Sequence, residues 1–432
     1  MKKGYKYRVG LGSVKLFLVF VFISITIFAC KQKTTEQILT KPVTAQDILG
    51  NPEYQAISYG GYRMSSRDIQ PSISDIKEDL EILSELGIKL IRTYNVHLPH
   101  ASNILKAIAE LTSENAEFEM YVMLGAWINC KNAFTELSPD HTVESNKNEV
   151  EIGEAVKLAN KHPEIVKIIA VGNEAMVKWA ASYYVEPGII LKWVRHLQEL
   201  KAKGDLSKDL WITSSDNFAS WGGGSDEYHV PTLDSLITEV DYISMHTYPM
   251  HDTHHNPAFW NKVLTNTGDS IEMQIDTLMT RALSYAQYQY QAVENYTMKI
   301  GIEKPIHIGE TGWASYSGGF YGPEGSRACD EYKQALYYHK MRAWTDTDSI
   351  SCFYFEAFDE KWKDAEHPNG SENHFGLFTS DGQAKYALWD SVNLLKSKQL
   401  RRGESSMKKT FNGQLEKLLE TVFIPNNEIT QK

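Results

Sequence analysis

Eight short apolar runs, spaced along the chain and separated by segments of helical period, restrict the fold more than any other feature. The runs fall near residues 56–59, 89–94, 118–125, 165–171, 210–213, 242–245, 306–308 and 351–355. Their length and β-branched content suit strands buried on both faces, as parallel sheets require. Between them, 76–86, 104–111, 189–200, 271–292 and 331–344 carry apolar residues at helical spacing, and 386–395 closes the set. Eight strands, each followed by a helix, predict a single (β/α)8 TIM barrel over residues 51–398, with long loops at its catalytic face. A chain of 432 residues that is 42% apolar can fill that core, and the even spacing argues against two separate domains.

In such a barrel the residues just after each strand build the active site. Two of these runs end in a carboxylate flanked by glycine, Gly172-Asn173-Glu174 and Gly309-Glu310-Thr311-Gly312, where a core would tolerate no charge. Other strand ends hold Tyr59, Arg92 with Tyr94 and Asn95, Trp127, Asp216 with Asn217, and His246 with Tyr248. The eighth leads into Glu356-Ala357-Phe358-Asp359-Glu360-Lys361-Trp362. A mouth of carboxylates, amides and rings suits carbohydrate, whose faces stack on aromatics and whose edges take paired hydrogen bonds. Trp127, Trp221, Tyr248, Trp260, Trp313, Tyr316, Tyr321 and Trp362 all fall on loops that follow strands.

A formal charge of −11 leaves no basic face for phosphates, so no nucleic-acid partner is expected. Lys2, Lys3, Lys6, Arg8 and Lys15 precede an apolar run over 16–28 that ends in Ile27-Phe28-Ala29-Cys30. At about 13 residues the run is short for a membrane span and typical of a signal peptide. Residues 1–29 read as a lipoprotein signal peptide, Cys30 as the lipidated first mature residue, and 30–50 as a polar tether. The expected product is an extracytoplasmic lipoprotein held to a membrane through its N-terminal lipid. Cleavage takes away five cations and no anion, leaving −16.

Cys130, Cys329 and Cys352 then remain, an odd set without close spacing, read as buried or half-buried thiols with at most one pair. His246, His251, His254 and His255 match no standard zinc spacing and read as a polar loop. No metal or other cofactor is expected.

Several segments together resemble glycoside hydrolase family 17. They are Glu78-Asp79-Leu80, Ile91-Arg92-Thr93-Tyr94-Asn95, Val171-Gly172-Asn173-Glu174, Gly309-Glu310-Thr311-Gly312-Trp313 and the stretch from Phe355 to Trp362. His374-Phe375-Gly376-Leu377-Phe378, with Asp381-Gly382 and Lys385-Tyr386, completes the series in order. The resemblance implies a retaining endo-β-1,3-glucanase acting on laminarin-like glucans, with Glu174 as acid/base and Glu310 as nucleophile. A retaining mechanism needs two carboxyls about 5–5.5 Å apart, one protonated and one ionised. The charge on Glu310 would hold the proton on Glu174, and Asn173 would meet the sugar 2-hydroxyl. Trp313 joins the expected sugar contacts. Glu356 and Glu360 with Lys361 would support the nucleophile or bind hydroxyls, or else form a salt-bridged strand end.

Three long loops, 128–147, 217–233 and 248–269, would decide endo or exo action, and Gly222-Gly223-Gly224 suggests mobility in the second. Residues 399–432 match no part of the family pattern, although the spacing near Leu415 suits a short amphipathic helix on the barrel exterior. Two other outcomes stay open on the same barrel. One is a β-1,3-glucanosyltransferase, in which an acceptor sugar resolves the intermediate; the other is a non-catalytic glucan-binding lipoprotein.

Overall fold

Parallel strands β1 (Gln55–Ser58), β2 (Ile88–Arg92), β3 (Tyr121–Ala126), β4 (Val166–Asn173), β5 (Trp211–Asn217), β6 (Ile243–His246), β7 (Ile306–Gly312) and β8 (Cys352–Phe355) close into one barrel. The computed structural model describes residues 42–260 and 268–425, together with Met1 and Gly4. Closure is direct, since Ala56 of β1 pairs with Phe353 of β8. All eight strands lie where the apolar runs place them. The leader, Cys30 and the tether up to residue 41 lie outside the described residues.

Helices α1 (Ile73–Glu85), α2 (Pro99–Glu114), α3 (Asn148–Lys161), α4 (Pro187–Lys203), α5 (Pro231–Glu239), α6 (Ile271–Lys299), α7 (Glu331–Thr347) and α8 (Val392–Ser397) follow the strands in turn. Local chemistry starts and stops them. Ser72 and Asp75 form a reciprocal capping box at α1, proline begins α2, α4 and α5, and Gly204 in the left-handed region ends α4. Helix α3 gives a weaker signal in sequence because its apolar stripe is thin: Ile152, Ala155 and Ala159 carry its buried apolar surface.

The barrel interior is apolar at one end and polar at the other. Ala56, Leu90, Met123, Ile168, Ala170, Tyr242 and Phe353 fill the apolar end, and Ala45, Ile48 and Leu49 pack with them. Residues 43–50 are therefore part of the barrel, with Thr44 and Asp47 boxing a helical turn there, and are not the tail of a tether. At the other end Arg92, Ser215, Ser244, His246 and Glu310 are buried together with hydrogen-bond partners.

The long loops carry structure of their own. The first holds an antiparallel ribbon, Cys130–Lys131 with Asp140–Glu144. In the second, Gly222 has φ 90°, and a Cβ there would sit 2.2 Å from Tyr296 Cδ1. This glycine serves close approach to α6, which gives the run a packing role where its sequence suggested mobility. Cys130, Cys329 and Cys352 are buried and unpaired.

The segment after α8 folds back on the barrel. Arg402 is buried against Asp79 of α1, Lys408–Lys409 pairs with Gln383–Ala384, and Leu418 of the short helix Leu415–Leu419 is buried. Lys333 of α7 donates to the Phe423 carbonyl at 2.7 Å.

Candidate active site

Two backbone irregularities aim the paired glutamates. The register of β4 against β5 shifts between Ala170 and Asn173, with Gly172 at φ 82° and Glu174 at φ 46°. A bulge at a barrel rim re-aims a side chain, and Glu174 is held there by its N–H, which donates to the Ser215 carbonyl at 2.9 Å. On β7 the register shifts beside His246, which pairs with Glu310. Gly309 is required next to it, because a Cβ would lie 2.0 Å from Ser244 Oγ.

Glu310 is buried and takes three donors. Its Oε2 accepts from Arg92 Nη1 and from the Tyr94 hydroxyl, both at 2.7 Å. Its Oε1 accepts from the Tyr248 hydroxyl, also at 2.7 Å. Burial alone would raise its carboxyl, but His246, charged only in the acid range where Glu310 itself titrates, together with Arg92 and the two phenolic hydroxyls, holds it below the ordinary range. Burial pushes His246 itself down to about 4, so near neutral pH that ring is uncharged and Arg92 supplies the cation.

Glu174 is the opposite case. Burial first, and then the negative charge of Glu310, push it up to about 8, against the pull of Arg92. Its Oε1 lies 3.0 Å from His246 Nδ1. One carboxyl is thus held protonated and the other ionised in a single pocket, the arrangement that acid/base and nucleophilic roles require. Arg92 ties the two halves together: Nη1 also donates to the Gly309 carbonyl at 2.8 Å, and Nη2 donates to Asn173 Oδ1.

The structure brings together Glu174, Glu310, Arg92, Asn173, Tyr94 and Tyr248. Trp127 stands half-buried at the rim, and Asn95 accepts from the Leu98 N–H at the start of α2. Other expected sugar contacts are displaced. Tyr59 is fully buried behind the barrel wall, with its hydroxyl donating to Asp79 Oδ2 at 3.1 Å. Asp216 is fully buried too: it accepts from the Met176 N–H at 2.7 Å, bracing the turn after Glu174, and burial raises it to about 6. Asn217 accepts from the Ala219 N–H at 3.0 Å and caps its own loop.

Trp313, Trp221 and Trp260 are core rings, each donating its indole N–H to a backbone carbonyl. Their polar edge finds a partner inside the protein, so the strand-end position does not expose them.

The loop after β8 corrects one residue in particular. Lys361 is exposed, and it is Lys363 that bridges Glu356 at 2.5 Å and Glu360 at 3.4 Å while lying 3.9 Å over the Phe355 ring. Glu360 also accepts from the Tyr62 N–H at 2.9 Å, so this loop is a salt-bridged strand end. Among the histidines, His246 belongs to the site, whereas His251 stacks on Tyr248 at 5.1 Å. Sequence reading misses Lys363 and also Glu372. The side chain of Glu372 is 48% exposed, yet the enclosing cleft raises its carboxyl; Lys363 opposes this, and the charges of Glu310 and Glu174 add to it. The Lys363 signal is its i,i+3 spacing from Glu360. Glu372 offers none.

Residues 56–376 match the family described as the BtgE/BtgC glycoside hydrolase domain. An endo-laminarinase from Formosa Hel1_33_131 is 60% identical, with a TM-score of 0.88 over 90% of this chain and all of that one. A glucan 1,3-beta-glucosidase from Arthroderma benhamiae is 27% identical over 329 residues, 74% of this chain and 86% of the relative. A Rhizomucor miehei β-1,3-glucanosyltransferase shares the fold at 20% identity, with a TM-score of 0.53 over 78% of this chain and 96% of that one.

Proposed function

Because the chain belongs to the BtgE/BtgC glycoside hydrolase family, we propose that it is a retaining endo-β-1,3-glucanase of glycoside hydrolase family 17 acting on laminarin-like glucans. Hydrolysis of internal β-1,3-glucosidic bonds follows from the endo-laminarinase likeness. The observation that carries the mechanism is the split between two glutamates in one pocket, one raised to about 8 and its neighbour held low.

In the first step an oxygen of Glu310 attacks the anomeric carbon. The proton on Glu174 passes to the glycosidic oxygen as its bond to that carbon breaks. In the second, Glu174 takes a proton from water, the water oxygen attacks the same carbon, and Glu310 leaves. The hydroxyls of Tyr94 and Tyr248, whose protons burial helps to hold, fix the orientation of Glu310. Asn173 turns its oxygen to Arg92, so its NH2 edge is the part offered to a sugar hydroxyl. Water resolves the intermediate in hydrolysis; an acceptor sugar would give products longer than the substrate.

The test uses the soluble domain lacking residues 1–30 with a reduced laminari-oligosaccharide. Glu174→Ala should lose about 10²–10⁴-fold in rate, and on an aryl laminarioside, whose leaving group needs no proton in the first step, azide should restore turnover as a β-glycosyl azide. An α-azide, or wild-type hydrolysis by Glu310→Ala, would refute the assignment.

The N-terminal basic residues, the apolar run and Cys30 support lipid anchoring outside the cytoplasm. A labelled fatty acid should be incorporated into the full chain and be absent from Cys30→Ala. Labelling of both forms would remove Cys30 from that role.

A further inference from the structure

Three aromatic rings stand in line beside the acid. Trp127 follows Ala126, the residue of β3 that pairs with Val171 on the strand leading to Glu174. Its ring centroid is 5.4 Å from that of Tyr183, and Tyr183 is 5.3 Å from Phe134 with the planes only 26° apart. Exposure grows along the series: Trp127 and Tyr183 are half-buried, and Phe134 is 62% exposed. Tyr183 sits on the loop that follows Glu174, and that loop is fastened to the ribbon after β3. The Cys130 N–H donates to the Tyr183 carbonyl at 3.1 Å, and the Glu186 N–H donates to the His141 carbonyl at 3.0 Å.

The ribbon holds Phe134 outward at some cost. Asn132 and Phe134 have φ of 65° and 57°, a region that a bulky aromatic residue rarely adopts. The turn is secured by Asn132 Nδ2 donating to the Ser138 carbonyl at 3.0 Å. Core packing does not call for this ring, since most of it stays in solvent. Continuity with the catalytic pocket does give it a role.

We propose that Trp127, Tyr183 and Phe134 form a stacking platform for the glucosyl units that lie beyond the cleaved bond, on the leaving-group side next to Glu174. The occupant is the distal part of the same glucan chain, because Tyr183 lies near enough to the pocket for the charges of Glu174 and Glu310 to add to burial in raising its hydroxyl, and Phe134 stacks on its far side. The apolar C–H face of a sugar meets the solvent-exposed side of Phe134, which Tyr183 and Trp127 back from the pocket side. This inference rests on the β-1,3-glucanase reading and extends it to substrate length.

The experiment compares kcat/KM for a laminari-trisaccharide and a laminari-heptasaccharide in wild type, Phe134→Ala and Phe134→Tyr. In Phe134→Ala the heptasaccharide-to-trisaccharide ratio should fall about three- to tenfold, mainly through KM, as expected for one lost ring contact. Phe134→Tyr should restore it. With a reducing-end label, products of Phe134→Ala should become shorter, because fewer units are held on the leaving-group side. An unmoved ratio, an equal loss for both lengths, or labelled products that grow longer would overturn the platform. So would a dimer that Phe134→Ala dissociates in light scattering, which would make the ring a subunit contact. If wild type cuts neither oligosaccharide, the glucanase reading itself fails; if it cuts both and the ratio stays fixed, only the platform does.

Discussion

Nδ1 of His246 lies 3.0 Å from Glu174 Oε1, and its other ring nitrogen faces Arg92 Nη1 at 3.3 Å. Arginine offers no acceptor, so in the tautomer that lets Nε2 accept from Arg92, Nδ1 carries the proton that points at Glu174. Ser215 Oγ, 2.8 Å from Nε2, is then a donor to it. One neutral ring therefore links the acid to the arginine that restrains the nucleophile.

Replacing that ring should change the pH profile as well as the rate. A hydrogen bond donated to a carboxylate favours its ionised form. In His246→Ala the proton on Glu174 is held more tightly, and the basic limb of kcat/KM moves to higher pH. Looser aim of Glu174 should lower kcat by up to about 10²-fold. A basic limb that stays where wild type has it would mean that His246 acts on structure alone.

Arg92 is buried and is the cation in contact with Glu310. In Arg92→Met, burial acts on Glu310 without that counter-charge, so its carboxyl rises. Activity needs Glu310 ionised, so the acid limb should move to higher pH, with a loss of about 10²–10³ in kcat/KM. Arg92→Lys keeps a charge but not the fork that reaches Gly309 and Asn173, and should fall between the two. An acid limb unchanged in Arg92→Met would sink the argument.

The strands and the glutamate pair are legible because buried parallel strands must read as continuous apolar runs, and an acid at the end of such a run has no place in a core. Arg92, Tyr94, Asn173 and Tyr248 follow from the same rule. It fails at Tyr59 and Trp313 because strand ends alternate between the pocket and the helices, and bulges beside Asn173 and Glu310 reset that alternation. Lys361 and Lys363 sit on a loop with no period at all, so only the folded backbone decides between them. His246 is the last residue of β6, yet its neighbours His251, His254 and His255 make it look like part of a polar loop.

The raised carboxyl of Glu174 also bears on folding. An acid whose folded pKa lies above its unfolded value destabilises the protein as pH rises between the two, here from the ordinary carboxylate range to about 8. Glu174→Gln removes that penalty. Its melting temperature should match wild type at acid pH and exceed it by several degrees, at roughly 2–4 °C per kcal/mol, above neutrality. Equal melting curves at pH 8, or a variant that is less stable there, would show that Glu174 is not held protonated by its site.

The segment after α8 should be needed for stability rather than for chemistry. Asp79 of α1 is fully buried and accepts from Arg402 Nε at 2.9 Å, from Arg63 at 3.2 Å and from the Tyr59 hydroxyl at 3.1 Å. Removing one partner of a buried ion pair leaves the other charge desolvated and costs about 3–5 kcal/mol. Because Arg63 still pairs with Asp79, Arg402→Ala should lose up to that much in urea unfolding, while its folded fraction keeps wild-type kcat/KM. Deleting residues 399–432 should cost more, because Met407 and Leu418 leave the core with it and the Lys408–Lys409 pairing is lost. If Arg402→Ala unfolds at the wild-type urea midpoint, the buried pair is not what fastens this segment to the barrel.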